Sequence, residues 1–227
     1  MNPLAARVAR LRARIQRACE ACGRDPGEVE LLPVSKRQPA SLVREAMDLG
    51  FSRFGENYVQ EGVLKAQDLP GAAMVLIGPL QRNKARPALA AFQELMTVDR
   101  PELALRLRHL AAELDLVRPV WLQVDLWGEA TKVGGAAGEA LDAVLAALEG
   151  DPRLPVRGLM AIPPPEDPEA FRAMARLREE LRQRTGLALR LSMGMSGDLE
   201  EAIRAGTDQV RIGTAFFGTR QAPLVSE

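Results

Sequence analysis

Apolar residues at Leu4, Val8, Leu11, Ile15 and Ala18 recur at steps of three and four, the spacing that gives a helix one apolar face. Beyond this stripe the pattern changes. Short apolar or β-branched runs occupy 30–35, 52–54, 74–77, 94–98, 119–124, 157–160, 189–192 and 209–212, and helical patterns fall between them at 40–49, 56–65, 101–114, 138–148, 168–184 and 199–205. Alternation of this kind predicts a parallel sheet with helices outside it. Eight units after one leading helix predict an α/β chain with a single domain over 1–227, a (β/α)8 TIM barrel with an extra N-terminal helix. An open doubly wound sheet is the alternative, because the pattern does not show whether the last strand closes on the first. Pro163-Pro164-Pro165 reads as a stiff loop after the sixth strand.

Charge adds an exclusion. Thirty basic residues balance thirty acidic ones, so no overall field draws the chain to nucleic acid or to an anionic membrane, and any anion site has to be local. No apolar stretch approaches the roughly 18 residues of a membrane span, so a cytoplasmic protein is expected. The first nineteen residues are arginine-rich, acid-free and amphipathic, as a transit peptide would be. They contain no serine, however, and the stripe runs into the folded region, which favours a first helix of the domain. Cys19 and Cys22 form a CxxC with no further ligand cluster, so no metal site is expected and two buried thiols are.

The lysines are only Lys36, Lys65, Lys84 and Lys132, and the one histidine and one tyrosine are His109 and Tyr58, so general acids and bases are scarce. In a barrel the C-terminal strand ends build the site, and Lys36 directly follows the first strand. A lysine there either stays an ammonium and binds an anion, or loses its proton under partial burial and attacks a carbonyl. After the seventh strand comes Ser192-Met193-Gly194-Met195-Ser196-Gly197-Asp198, and after the eighth Arg211-Ile212-Gly213-Thr214. Small residues, backbone N–H groups and hydroxyls in these two loops suit a phosphate. Together with Lys36 they suggest a phosphorylated carbonyl compound.

Six segments, in order along nearly the whole chain, carry a resemblance: Val34-Ser35-Lys36; Phe54-Gly55-Glu56-Asn57-Tyr58-Val59-Gln60-Glu61; Ile77-Gly78-Pro79-Leu80-Gln81 followed by Asn83-Lys84; Gly158-Leu159-Met160-Ala161; Ser192-Met193-Gly194-Met195-Ser196; and Val210-Arg211-Ile212-Gly213-Thr214. They resemble the pyridoxal 5'-phosphate homeostasis protein family. The resemblance implies the barrel of the alanine racemase N-terminal domain, holding the vitamin B6 cofactor pyridoxal 5'-phosphate (PLP) on a lysine after strand one. It makes Lys36 the Schiff-base lysine. Met195, Ser196, Gly213 and Thr214 would hold the phosphate, Arg211 would face the pyridine nitrogen, and Asn57 would line the pocket. An arginine there would leave the ring nitrogen unprotonated and weaken the cofactor as an electron sink, where a transaminase-like site would use a carboxylate. Glu56 and Glu61 read as helix-start and surface carboxylates.

Two departures stand out. Asp125 replaces an asparagine frequent in the family, although Glu129, Lys132 and Gly134 keep its spacing, and Val75 and Leu76 stand where a histidine often precedes the third-strand motif. Lys132 reads as a solvated loop lysine, with a second anion patch as the alternative. The resemblance implies a non-catalytic, monomeric PLP carrier, with PLP-dependent apo-enzymes as recipients. A PLP-dependent racemase is the alternative. It needs proton donors on both faces of the substrate, and related racemases take the second, a tyrosine, from an additional β domain. The sequence ends at Glu227, just past the eighth unit, and Tyr58 and an outward-facing His109 are poor substitutes. A phosphosugar barrel using Lys36 is the third reading.

Overall fold

The computed structural model describes residues 2–128 and 134–219. Eight parallel strands are formed: β1 (Glu30–Pro33), β2 (Arg53–Glu56), β3 (Ala73–Leu76), β4 (Glu94–Val98), β5 (Val120–Val124), β6 (Val156–Ala161), β7 (Arg190–Ser192) and β8 (Gln209–Ile212). They follow the order β1-β8-β7-β6-β5-β4-β3-β2. A parallel bridge between Val34 and Gly55 joins the two remaining edges, with the Ser35 N–H donating to the Gly55 carbonyl at 2.9 Å. The sheet thus comes round on itself as the predicted barrel, not as an open doubly wound sheet.

Nine helices are found among the described residues: α1 (Pro3–Glu20), α2 (Ala40–Asp48), α3 (Val59–Asp68), α4 (Ala85–Ala91), α5 (Pro101–Glu113), α6 (Glu139–Leu148), α7 (Pro168–Thr185), α8 (Leu199–Arg204) and α9 (Thr214–Phe217). The leading helix forms as its stripe predicts. Asn2 caps it by accepting from the Leu4 N–H at 2.8 Å, Pro3 occupies its first turn, and Leu4, Val8, Leu11, Ile15 and Cys19 are buried. Burying each aliphatic side chain of that face is worth about 1.5–3 kcal/mol. None of the described helices is long and apolar enough to cross a membrane. Among the described residues no group of three or more histidine, cysteine or acidic side chains is placed to hold a metal ion.

Three expectations are corrected. The chain stays extended through Glu56, which pairs with Leu76, and the following helix begins only at Val59. Two short helices, α4 and α9, lie where no helix was read, because seven and four residues are too few to display a 3.6-residue period. Of the two thiols, Cys19 is buried and burial pushes its pKa up. Cys22, just past the helix end, is only partly buried, its Sγ donating to the Ala18 carbonyl at 3.2 Å. Lys132 and Glu129 lie outside the described residues.

Inside the barrel the side chains form layers. Arg53 pairs with Glu30 and Glu94 at the N-terminal end, where the Trp121 indole N–H also donates to Glu94 at 2.5 Å and Arg190 lies 5.9 Å over the indole. Above this polar floor, Leu32, Val75, Met96, Trp121 and Met160 make an apolar plug with Ile77 against it. A larger cluster fills the space between the strands and the helices. The site therefore lies above a closed core, at the C-terminal mouth.

Candidate functional site

Strand alternation decides which residues reach the mouth. Side chains two apart share a face of the sheet, so the inward position Leu32 on β1 continues to Val34 and then Lys36. On β2 the same parity runs from Arg53 in the floor through Gly55 to Asn57, and on β8 from Gln209 to Arg211 to Gly213. The ends of these three strands come together at the mouth. They open on a cavity of about 320 Å³ lined by Val34, Lys36, Gln38, Asn57, Ile77, Ile162, Met195, Ser196, Gly197, Arg211, Gly213 and Thr214. Every residue expected in a cofactor site, Lys36, Asn57, Met195, Ser196, Arg211, Gly213 and Thr214, is in that wall. A groove of about 780 Å³ on the outer surface, along α6 and the end of α7, is larger, but its Asp142 and Arg184 are paired with each other.

Arg211 is the fixed cation of the site. It is buried, and its guanidinium donates to the Ser192 hydroxyl and to the Ala161 carbonyl, both at 2.8 Å. Loss of hydration brings its pKa down to about 10, and the Asp198 carboxylate opposes that drop, so it stays charged at neutral pH. Two neutral partners leave further N–H donors and the full charge for whatever enters the cavity. Lys36 is partly buried beside the apolar Val34 and Ile77.

The loops after β7 and β8 are built to receive an anion. Gly194 has φ +95°, and a Cβ there would come within 2.5 Å of the Ala202 Cβ, so glycine is required by the turn. Gly197 and Gly213 have no such reason. Neither has a left-handed φ, and an added Cβ would meet nothing within 4 Å at Gly197 and only ordinary contacts from 3.6 Å at Gly213. Their bareness leaves room for a ligand to approach the backbone. The N–H groups of Ser196, Gly197, Gly213 and Thr214 find no acceptor among the described residues, whereas the Met195 N–H is already taken by Asp198. The buried Asn57 Oδ1 likewise has no partner among the described residues. A primary amine, a buried guanidinium, an orphaned amide oxygen and a pair of bare loops fit a small ring bearing an aldehyde and a phosphate.

Next to Lys36 lies a cluster the sequence reading missed. Glu56 is fully buried, not a surface carboxylate: its Oε1 accepts from the Ser35 hydroxyl and from Lys65 Nζ, both at 2.6 Å, and burial raises its pKa despite the lysine. Glu61, in the first turn of α3, is partly exposed and pairs with the same Lys65 at 2.8 Å. Extending β2 by two residues was the signal that could have placed Glu56 inside. Tyr58 is exposed, with its hydroxyl 3.2 Å from Arg37, and His109 faces outward near Glu113; neither lines the cavity. Asp125, the departure from the family pattern, caps its own loop by accepting from the Trp127 and Gly128 N–H groups at 3.0 and 3.1 Å.

A parallel eight-stranded barrel with an amine at the end of β1 and bare loops after β7 and β8 defines a class. The family described as "Alanine racemase, N-terminal domain" matches residues 7–221. The chain is 46% identical to the pyridoxal phosphate homeostasis protein of Pseudomonas aeruginosa over 97% of both chains. It is similar to the structure of PipY of Synechococcus elongatus with PLP bound, at 37% identity and TM-score 0.82, over 95% of this chain and all of that one. The chain belongs to the pyridoxal phosphate homeostasis protein family. It also has the fold of Clostridium difficile alanine racemase, at TM-score 0.76 and 12% identity, over all of this chain and 59% of the racemase.

Proposed function

We propose that this protein binds PLP at the barrel mouth and serves PLP homeostasis as a holder of the cofactor, not as a catalyst. The observation that carries the reading is the single cavity uniting Lys36 with Arg211 and the two bare loops. When bound, PLP would supply an aldehyde, a group that a primary amine can hold covalently with loss of water. Lys36 would be that amine, Ser196, Gly197, Gly213 and Thr214 would hold the phosphate by N–H and hydroxyl donors with Met195 beside them in the cavity wall, and Asn57 and Arg211 would orient the ring. The relatives named for PLP homeostasis and the PLP-bound PipY support this assignment.

The wall also speaks against racemase chemistry. Moving a proton across a carbon needs a titratable group on each face. Among the described lining residues only Lys36 and Arg211 carry titratable groups, and a guanidinium with a pKa about 10 is a poor proton acceptor at neutral pH. A soluble cytoplasmic monomer that passes PLP to apo-enzymes completes the proposal. Borohydride reduction of the protein with PLP, followed by peptide mass spectrometry, tests it. The pyridoxyl phosphate label is expected on Lys36 and is expected to vanish in Lys36→Ala. A label elsewhere, or amino-acid racemisation well above free PLP, overturns the reading.

A further inference from the structure

We propose that Lys65, Glu56 and Glu61 form a positioning device for Lys36; this rests on reading Lys36 as the amine that takes PLP. Lys36 stands between two residues tied to one ion cluster. On one side the Ser35 carbonyl accepts from Lys65 Nζ at 2.5 Å while the Ser35 hydroxyl donates to Glu56 at 2.6 Å. On the other side the Arg37 N–H donates to Glu61 Oε1 at 2.5 Å. Lys65 joins the two sides, reaching Glu56 at 2.6 Å and Glu61 at 2.8 Å, so its three donors are all spent.

The clamp answers a need of the backbone. Arg37 has φ 58°, a left-handed conformation that disfavours any residue with a side chain. That turn ends the extended run of β1 and leaves Lys36 facing the cavity. Holding the Arg37 amide on Glu61 and the Ser35 carbonyl on Lys65 fixes both peptide planes that flank Lys36. Lys65 is itself buried and fully bonded, so it acts through the backbone and does not compete as an amine.

Glu61 is the test position, because it is partly exposed and its amide analogue keeps an acceptor for Arg37. Affinities are measured for PLP and for 4'-deoxypyridoxine 5'-phosphate, which has the ring and phosphate but a methyl group in place of the aldehyde. Glu61→Ala is expected to weaken PLP binding at least about tenfold, the scale of a misplaced reacting group. The deoxy analogue should bind as to wild type, which also reports a folded barrel, and Glu61→Gln should restore PLP binding. Unchanged PLP affinity in Glu61→Ala, equal loss of both ligands, or no rescue by glutamine overturns the proposal. Peptide mapping of reduced wild type separates the two levels: a label on Lys36 with Glu61→Ala binding normally sinks the positioning role alone, whereas a label elsewhere sinks both.

Discussion

Gly78 lies two residues past the end of β3, and replacing it by alanine tests whether the cavity wall depends on a close approach of two backbones. The added Cβ would lie 2.2 Å from the Asn57 carbonyl oxygen, 2.6 Å from its Cα and 2.7 Å from its carbonyl carbon. These are main-chain atoms of a strand end, so no rotamer change relieves the overlap. Reaching ordinary contact from 3.4 Å requires the two segments to part by about 1.2 Å. Gly78 has no left-handed φ, so the alanine itself is not strained, and the whole cost is that separation. Overpacking of this kind costs about 1–3 kcal/mol, which for a domain of this size lowers the melting temperature by roughly 2–12 °C. Asn57 moves with its backbone, so PLP affinity should also fall about tenfold or more. Gly197→Ala is the matched control. Its Cβ meets nothing within 4 Å, so stability should stay within about 0.5 kcal/mol while PLP binding weakens, because the methyl takes space at the cavity wall. Thermal melts and PLP titrations of both variants decide the matter. A Gly78→Ala protein that melts and binds like wild type, or a Gly197→Ala protein that loses stability and keeps its affinity, refutes the reasoning.

Two further outcomes follow from the buried carboxylate. Lys65→Met leaves Glu56, at 0% exposure, without its cation, a loss expected to cost about 3–5 kcal/mol in urea unfolding; adding Glu56→Gln should recover most of it, and a single-variant loss below about 1 kcal/mol contradicts the ion-pair account. The second concerns pH. Burial raises the Glu56 pKa above its ordinary 4.5, so between 4.5 and the raised value the native state holds a proton that the unfolded chain has shed. The Glu56 contribution to stability therefore falls as pH rises through that window. Glu56→Gln cannot titrate, so its stability relative to wild type should climb from pH 4.5 toward neutrality; a flat difference across that range shows that Glu56 is not shifted as described.

How much of this was legible in the sequence depends on whether a feature is periodic. The eight strands were legible as recurring short apolar runs, because a parallel strand covered on both faces is apolar along its length, and the long helices because ten or more residues repeat the helical period several times. Lys36, Arg211 and the two loops were legible as a set because barrel topology brings strand ends together however far apart they lie in the chain. The Glu56–Lys65 pair was not. Reading a helix from 56 turned Glu56 outward, and only the pairing of Glu56 with Leu76 in β3, a contact twenty residues away, keeps it extended and buried. The inward residues Val34 and Ile77 could have been found by counting back in twos from the strand ends. Gln38 and Ile162 lie in irregular backbone beyond the strands, where no period applies.

The extra helix has a specific structural task. The loops after β7 and β8 lead into helices of only six and four residues, too short to hold themselves by local bonding. Helix α1, from the other end of the chain, supplies the missing support. Arg14 grips Glu200 through two bonds of 2.8 Å and donates to the Ser196 carbonyl at 3.2 Å, while Arg7 donates to the Phe216 carbonyl at 2.9 Å. The Arg14 hydrogen bond is also what chiefly holds the Glu200 pKa down. A trans peptide points its C=O and its N–H in opposite directions. Fixing the Ser196 carbonyl toward α1 therefore turns the Gly197 N–H away from α1, on the side where Gly197 lines the cavity. An arginine on the outer surface thus sets the direction of a donor on the inner wall, and the N-terminal helix belongs to the geometry of the site although none of its residues touches the cavity.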